Sequence, residues 1–318
     1  MLAPRFRVIL QPSDAPVTGG ARDGAVAMVA LHARRSRAAI ASWKRAHPDR
    51  ALVVALTGTD LYRDVPAGDP DALASIADAD RLVVLQEDAL RHLPDLRRAK
   101  ASVVVQSART LAPWTRKSAT RLNAILVGHL RDEKDPRTAL AAWRLLPPEV
   151  PATLTIVGGA LDPAIADDVR AATADPRVRW LGARPHTWTR QAIRRAHVLV
   201  VASRMEGGAN VVAEALASGT PVIGTRMSGN LGMLGEDYPG YFEVGDAAGL
   251  AAAIAKAARD RRWLASLARR AERRARRMTP AAEAASIVAA VEAGIAGAKG
   301  KMPGFPVKAR GSRANVPT

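Results

Sequence analysis

The chain has 318 residues, long enough for two domains of ordinary size. It contains no cysteine, which excludes a disulfide framework and a thiolate metal site; its six histidines are scattered without metal-ligand spacing, so no metal and no other cofactor is expected. The formal charge of +17 invites a nucleic-acid reading, but most of it sits in nine arginines between 259 and 277 and five basic residues after position 296, so no nucleic-acid partner is expected.

In chain order, no signal peptide opens the sequence, and a cytoplasmic protein is expected. Apolar runs at 8–10, 25–31, 52–56, 82–85 and 103–105 are strand candidates, with helices between several of them, at 34–45 and 70–77. Such alternation argues a parallel sheet flanked by helices. Two loops follow strands on the side where parallel sheets bind ligands. The first is His32-Ala33-Arg34-Arg35-Ser36, and the second is Thr57-Gly58-Thr59-Asp60-Leu61-Tyr62-Arg63. Guanidinium groups bind oxyanions through forked hydrogen bonds, so Arg63 and one of Arg34 or Arg35 are candidate anion ligands. Arg34 and Arg35 point about 100° apart on a helix, and at most one is expected to face a cleft. His32 reads equally as a buried histidine, and Asp60 as a turn cap.

Residues 107–121, with Pro113 and no periodicity, read as a linker. A second alternating half follows, with strands at 124–127, 154–157, 178–181, 198–201 and 222–223, and helices near 136–146, 163–173, 188–195 and 210–218. Its most informative stretch runs from Ser203 to Pro221. There Glu206-Gly207-Gly208 leads into a helix with Asn210 as the expected N-cap and Gly219 near its end. The two glycines let a ligand approach the backbone, and the first helical turn offers free amides suited to a diphosphate. Glu206 on the loop and Glu214 on the helix would then flank it with carboxylates for hydroxyl groups. The arginine run at 259–277 reads as a solvated amphipathic helix, with a membrane-surface or RNA contact as the weaker reading. A final helix is expected at 281–295, no apolar run reaches the length of a membrane span, and the basic tail 297–318 reads as disordered.

The segment from Ser203 to Pro221 resembles the donor-binding motif of retaining glycosyltransferases of the GT-B fold, in glycosyltransferase family 4. The resemblance implies an α/β fold of two Rossmann-like domains whose parallel sheets face across a cleft. It implies an N-terminal acceptor-binding domain over 1–118, a nucleotide-sugar-binding domain over 119–280, and a crossover helix over 281–296 that returns to the first domain. By the same resemblance, Glu206 contacts the donor sugar and Glu214 the ribose. The amides around Gly207, Gly208, Asn210 and Val211 cradle sugar and phosphates, and residues 180–185 line the base. The run from Leu126 to Pro136 looks like the family's strand-to-helix segment. Within it Gly128 lies at the donor and Lys134 neutralises the leaving diphosphate, while His129 stands where the family usually has arginine.

Four motifs together, His32 to Ser36, Leu56 to Asp64, Gly128 to Pro136 and Ser203 to Asn210, resemble a narrower group, the selenosugar synthases of selenoneine biosynthesis. That similarity implies transfer of the sugar of a UDP-sugar, UDP-N-acetylglucosamine by expectation, to selenophosphate. His32, Arg34, Arg35, Thr57, Gly58, Thr59, Asp60 and Arg63 would form the acceptor pocket. An acceptor already ionised needs no general base, which suits Thr57 where relatives usually carry histidine. First domains of this fold open with a strand, a glycine-rich loop and a helix. Here residues 4–10 look like the second strand, which leads us to expect that the true start lies upstream.

Overall fold

The computed structural model describes residues 2, 5–11 and 24–299. A first parallel sheet has the order β1-β2-β3-β4, with β1 Ala27–Leu31, β2 Ala51–Ala55, β3 Arg81–Val84 and β4 Ala101–Val103. Helices α1 Arg37–Ala46, α2 Pro70–Asp78 and the single turn α3 Asp95–Arg98 connect its strands. All five residues of β2 are buried, which is why an unbroken Ala-Leu-Val-Val-Ala run forms a central strand rather than an alternating one.

The second sheet is also parallel, in the order β10-β9-β8-β5-β6-β7. Its strands are β5 Leu122–Val127, β6 Ala152–Val157, β7 Val178–Trp180, β8 Val198–Val201, β9 Val222–Thr225 and β10 Tyr241–Phe242. Around it lie α4 Pro136–Leu145, α5 Pro163–Ala172, α6 His186–Arg195, α7 Asn210–Leu216, α8 Ser228–Leu234, α9 Ala247–Arg259 and α10 Arg261–Ala275. Aspartates fix several helix starts: Asp135, Asp162, Asp246 and Asp260 each accept a hydrogen bond from a first-turn amide, and α4 and α5 carry proline just inside. The arginines of α10 are partly absorbed by the fold, since Arg274 donates to the carbonyls of Gly232 and Met233 at the end of α8.

The last helix, α11 Pro280–Lys299, returns to the first sheet, where Ala290 and Val291 pack on Val53 and Val83. It is longer than the expected 281–296, and the tail beyond Lys299 lies outside the described residues. One expectation is corrected here. By length and composition, 280–298 is apolar enough to cross a membrane, with mean hydropathy 1.4. Glu283 and Glu292 had hidden this by breaking the run. In the fold Glu283 is tied to the linker, accepting from the Ser107 amide and hydroxyl at 3.0 and 2.6 Å.

A second correction concerns 8–10, which forms no strand. A strand exists only by pairing, and among the described residues β1 bonds to β2 alone while Leu10 stands 91 % exposed. Residues 104–121 carry no regular structure and join the two sheets.

Candidate active site at the interdomain cleft

In the second sheet the chain order reverses direction between β5 and β8, and such a switch point opens a crevice at the carboxyl ends of the strands. The loops leaving those two strands hold Gly128 to Lys134 and Ser203 to Ala209. They meet through the Arg204 amide, which donates to the Glu133 carbonyl, and through Arg204 Nε, 3.2 Å from Asp135. Across the crevice Lys134 Nζ is ion-paired to Glu206 Oε1, which also accepts from the Ser203 hydroxyl at 2.8 Å. Gly128 lies under the lysine stem, since a Cβ there would sit 3.6 Å from Lys134 Cδ. His129 is exposed on the same loop, beside Gly159.

The first domain closes over this crevice. Gly58 abuts Gly207 so tightly that a Cβ on Gly58 would lie 2.6 Å from the Gly207 amide nitrogen. Gly208 lies against Leu85 and Gln106 in the same way. The loop carrying Thr57, Gly58 and Thr59 therefore touches the loop carrying Glu206.

Inside the first domain, Thr59 Oγ1 is 2.8 Å from His32 Nε2, and His32 Nδ1 is 2.7 Å from Asp60 Oδ1. The other Asp60 oxygen accepts from the Thr57 amide and hydroxyl at 2.8 and 3.0 Å. Asp60 is wholly buried with both oxygens engaged, so it shapes the loop from within and does not meet an acceptor directly. Burial also lowers the pKa of His32, against the pull of Asp60, and its backbone is held at φ 72°, a left-handed conformation uncommon for a non-glycine.

The expected guanidiniums are mostly committed. Arg34 Nε lies 3.1 Å from Asp64, and Arg63 Nε 2.9 Å from the same carboxylate, with Arg63 Nη1 3.8 Å from Glu133 of the second domain. Arg35 is exposed, with no acidic partner among the described residues. His32, Asp60 and Asp64 bring potential metal ligands within 4.8 Å of one another. The pairing of His32 with Asp60, the Thr57 bonds to Asp60 and the two arginines on Asp64 favour a network over a cation, which would lie beside two guanidiniums.

Asn210 departs from expectation: it is the first helical residue, Ala209 takes the cap position, and no side chain caps the turn. Its side chain is exposed, and Val211 is half-buried beside it. Gly219, at φ 68°, supplies the left-handed residue that ends the helical turn.

Several residues at the site were not anticipated. Gln86, fully buried, donates to Tyr62 Oη at 3.1 Å and to Ser228 Oγ at 3.3 Å, while Tyr62 donates to Ser228 at 2.8 Å. That triangle joins the two domains. On α7, Glu214 Oε1 is 2.6 Å from Nε2 of His186, at the start of α6. No short sequence pattern links residues 28 positions apart.

Residues 113–278 match the family described as glycosyl transferases group 1. Compared by sequence with curated proteins, the chain has no match. Among solved structures, it is similar to sucrose-phosphate synthase (tll1590) from Thermosynechococcus elongatus, at 20 % identity and TM-score 0.68, covering 85 % of this chain and 73 % of that one. It is similar to Anabaena Alr3699/HepE in complex with UDP-glucose, at 15 % identity and TM-score 0.70, covering 84 % of this chain and 78 % of that one. The pneumococcal O-GlcNAc transferase GtfA in complex with UDP and GlcNAc aligns at 17 % identity and TM-score 0.67 over 84 % of this chain, which spans 57 % of that protein. Identities this low show a shared fold.

Proposed function

Since the chain belongs to the glycosyl transferases group 1 family, with the GT-B fold, we propose that it transfers a sugar from a UDP-sugar to an acceptor held by the first domain. The observation that carries this is the Lys134–Glu206 pair at the β5–β8 crevice, closed by the Thr57–Thr59 loop of the opposite domain. In this reading the diphosphate lies at the first turn of α7, where free amides and the helix dipole favour it. Lys134 meets the charge that develops on the departing UDP, and Glu206 meets a hydroxyl of the sugar. Two solved structures that share the fold hold UDP or UDP-glucose, which supports the choice of nucleotide.

For the acceptor we propose selenophosphate, with UDP-N-acetylglucosamine as donor. The support is the set of four motifs, together with Arg34, Arg35 and Arg63 around one loop pair. The new carbon–selenium bond forms at the anomeric carbon as its bond to the diphosphate oxygen breaks, and UDP leaves with the electron pair. Because Arg34 and Arg63 already share Asp64, a bound oxyanion would compete with that carboxylate for them.

A hydroxyl acceptor is the second reading, and one observation favours it. Thr59 is hydrogen-bonded to His32 Nε2, Asp60 lies 2.7 Å from Nδ1, and burial favours the neutral ring, a grouping suited to taking a proton from an attacking hydroxyl. The two readings separate in an assay of UDP release from UDP-N-acetylglucosamine, with selenophosphate or a panel of monosaccharides as acceptor. Release with selenophosphate alone supports the first reading, and release with sugars alone replaces it by the second. No release with either removes the proposed activity.

A further inference from the structure

Glu214 is a half-buried carboxylate, with its side chain 13 % exposed, and among the described residues its only side-chain partner is the imidazole of His186. The separation of 2.6 Å is that of a charge-assisted hydrogen bond. The imidazole itself is 71 % exposed and occupies the first position of α6. It holds no core together, because α6 is anchored by Thr189 and Ile193, which are buried. An exposed ring bonded to a sheltered carboxylate beside the crevice has no evident structural task.

We propose that His186 is a positioning residue for the nucleotide. By donating from Nε2 to Glu214 Oε1 it holds the carboxylate in one orientation, so that its remaining lone pairs accept from the vicinal hydroxyls of a ribose. This rests on the reading of Glu214 as the ribose-binding residue. A free carboxylate rotates about its last bond and loses that freedom on binding a diol; one already held has less to lose. The signal is absent from the local sequence because the two residues lie on successive helices either side of β8.

The test is calorimetric binding of UDP and of 2′-deoxyuridine diphosphate to the full chain and to three variants. His186→Ala is expected to weaken UDP by roughly 2- to 10-fold, the ordering cost of one side chain no longer held in advance, and to leave the deoxy ligand nearly unchanged. His186→Gln, whose amide nitrogen can replace Nε2, is expected to restore most of the loss. Glu214→Ala is expected to abolish the preference for UDP over its deoxy analogue. If Glu214→Ala abolishes it while His186→Ala binds UDP like the parent chain, the ribose reading stands and the role of His186 falls. Equal weakening of both ligands by His186→Ala also overturns it, since the ring would then touch another part of the nucleotide. If Glu214→Ala keeps the preference, the ribose reading fails and this inference with it.

Discussion

Lys134 and Glu206 are 72 positions apart, yet the fold brings them into an ion pair in which the lysine side chain is 20 % and the glutamate 10 % exposed. Removing one partner leaves the other charge poorly solvated, and in the proposed reaction removing the lysine also deprives the leaving diphosphate of its compensating charge. Lys134→Ala is therefore expected to depress turnover by about 100-fold or more, as loss of a single electrostatic stabiliser does elsewhere, while the Michaelis constant for the donor changes little. Steady-state kinetics with the donor varied decides it. A variant with normal turnover and a raised Michaelis constant would make Lys134 a ground-state ligand instead. At this scale two local motifs point to Lys134 and Glu206, and the fold brings those side chains together. The sequence was silent on Gln86, Tyr62 and Ser228, whose hydrogen bonds exist only once two distant elements meet. Asn210 has the chemistry of a cap but not its place: the helix starts one residue earlier than that chemistry suggests, and Ala209 takes the cap position.

Among the elements, long buried strands and most helices declared themselves, while the apolar run at 8–10 forms no strand and the glycine-bearing helix α8 was not evident. Continuous apolar runs such as β2 and β8 are buried along their whole length and could hardly be anything else. Helix α8 reads Ser-Gly-Asn-Leu-Gly-Met-Leu, and its two glycines argue against a helix by propensity. They are there for packing: a side chain at Gly229 would run into Glu206, and one at Gly232 into Gln86. The same economy governs the contact of Gly58 with Gly207, where both partners are backbone and neither can rotate aside. Gly58→Ala would place a methyl 2.6 Å from the Gly207 nitrogen and 2.9 Å from the Glu206 carbonyl carbon. The two loops must then part, and a shift of about 1 Å at a reacting centre costs on the order of 100-fold in rate. We expect a folded protein with a cooperative melt and turnover reduced by about that factor. Turnover at the parent rate would show that the loops need not touch during reaction.

Across the whole molecule, the linker and α11 tie the two sheets together, and a buried histidine pins the linker to the second sheet. His197 Nδ1 accepts from the Asn123 amide at the start of β5, at 2.9 Å, and Nε2 donates to the Ser118 carbonyl in the linker, also at 2.9 Å. One nitrogen accepts and the other donates, so the bonded form is the neutral ring. Burial, with Lys117 and Arg261 nearby, lowers its pKa from the ordinary 6.5, and burial lowers that of His32 as well. In the unfolded chain both rings return to the ordinary value. As pH falls through 6.5 the unfolded chain binds protons that the folded chain resists, so stability is full above 6.5 and declines below it. The melting temperature of the parent chain should therefore hold from pH 8 to about 6.5 and then drop. His197→Gln should melt lower at pH 8, by roughly 2–4 °C for each 1 kcal/mol of lost hydrogen bonding, yet lose less on acidification. What slope remains belongs to His32 and to the carboxylates, and His32→Asn on the same background should flatten it further near pH 6. If the single variant and the parent chain fall in parallel below pH 6.5, His197 does not titrate on unfolding and its ring is solvated in the native state.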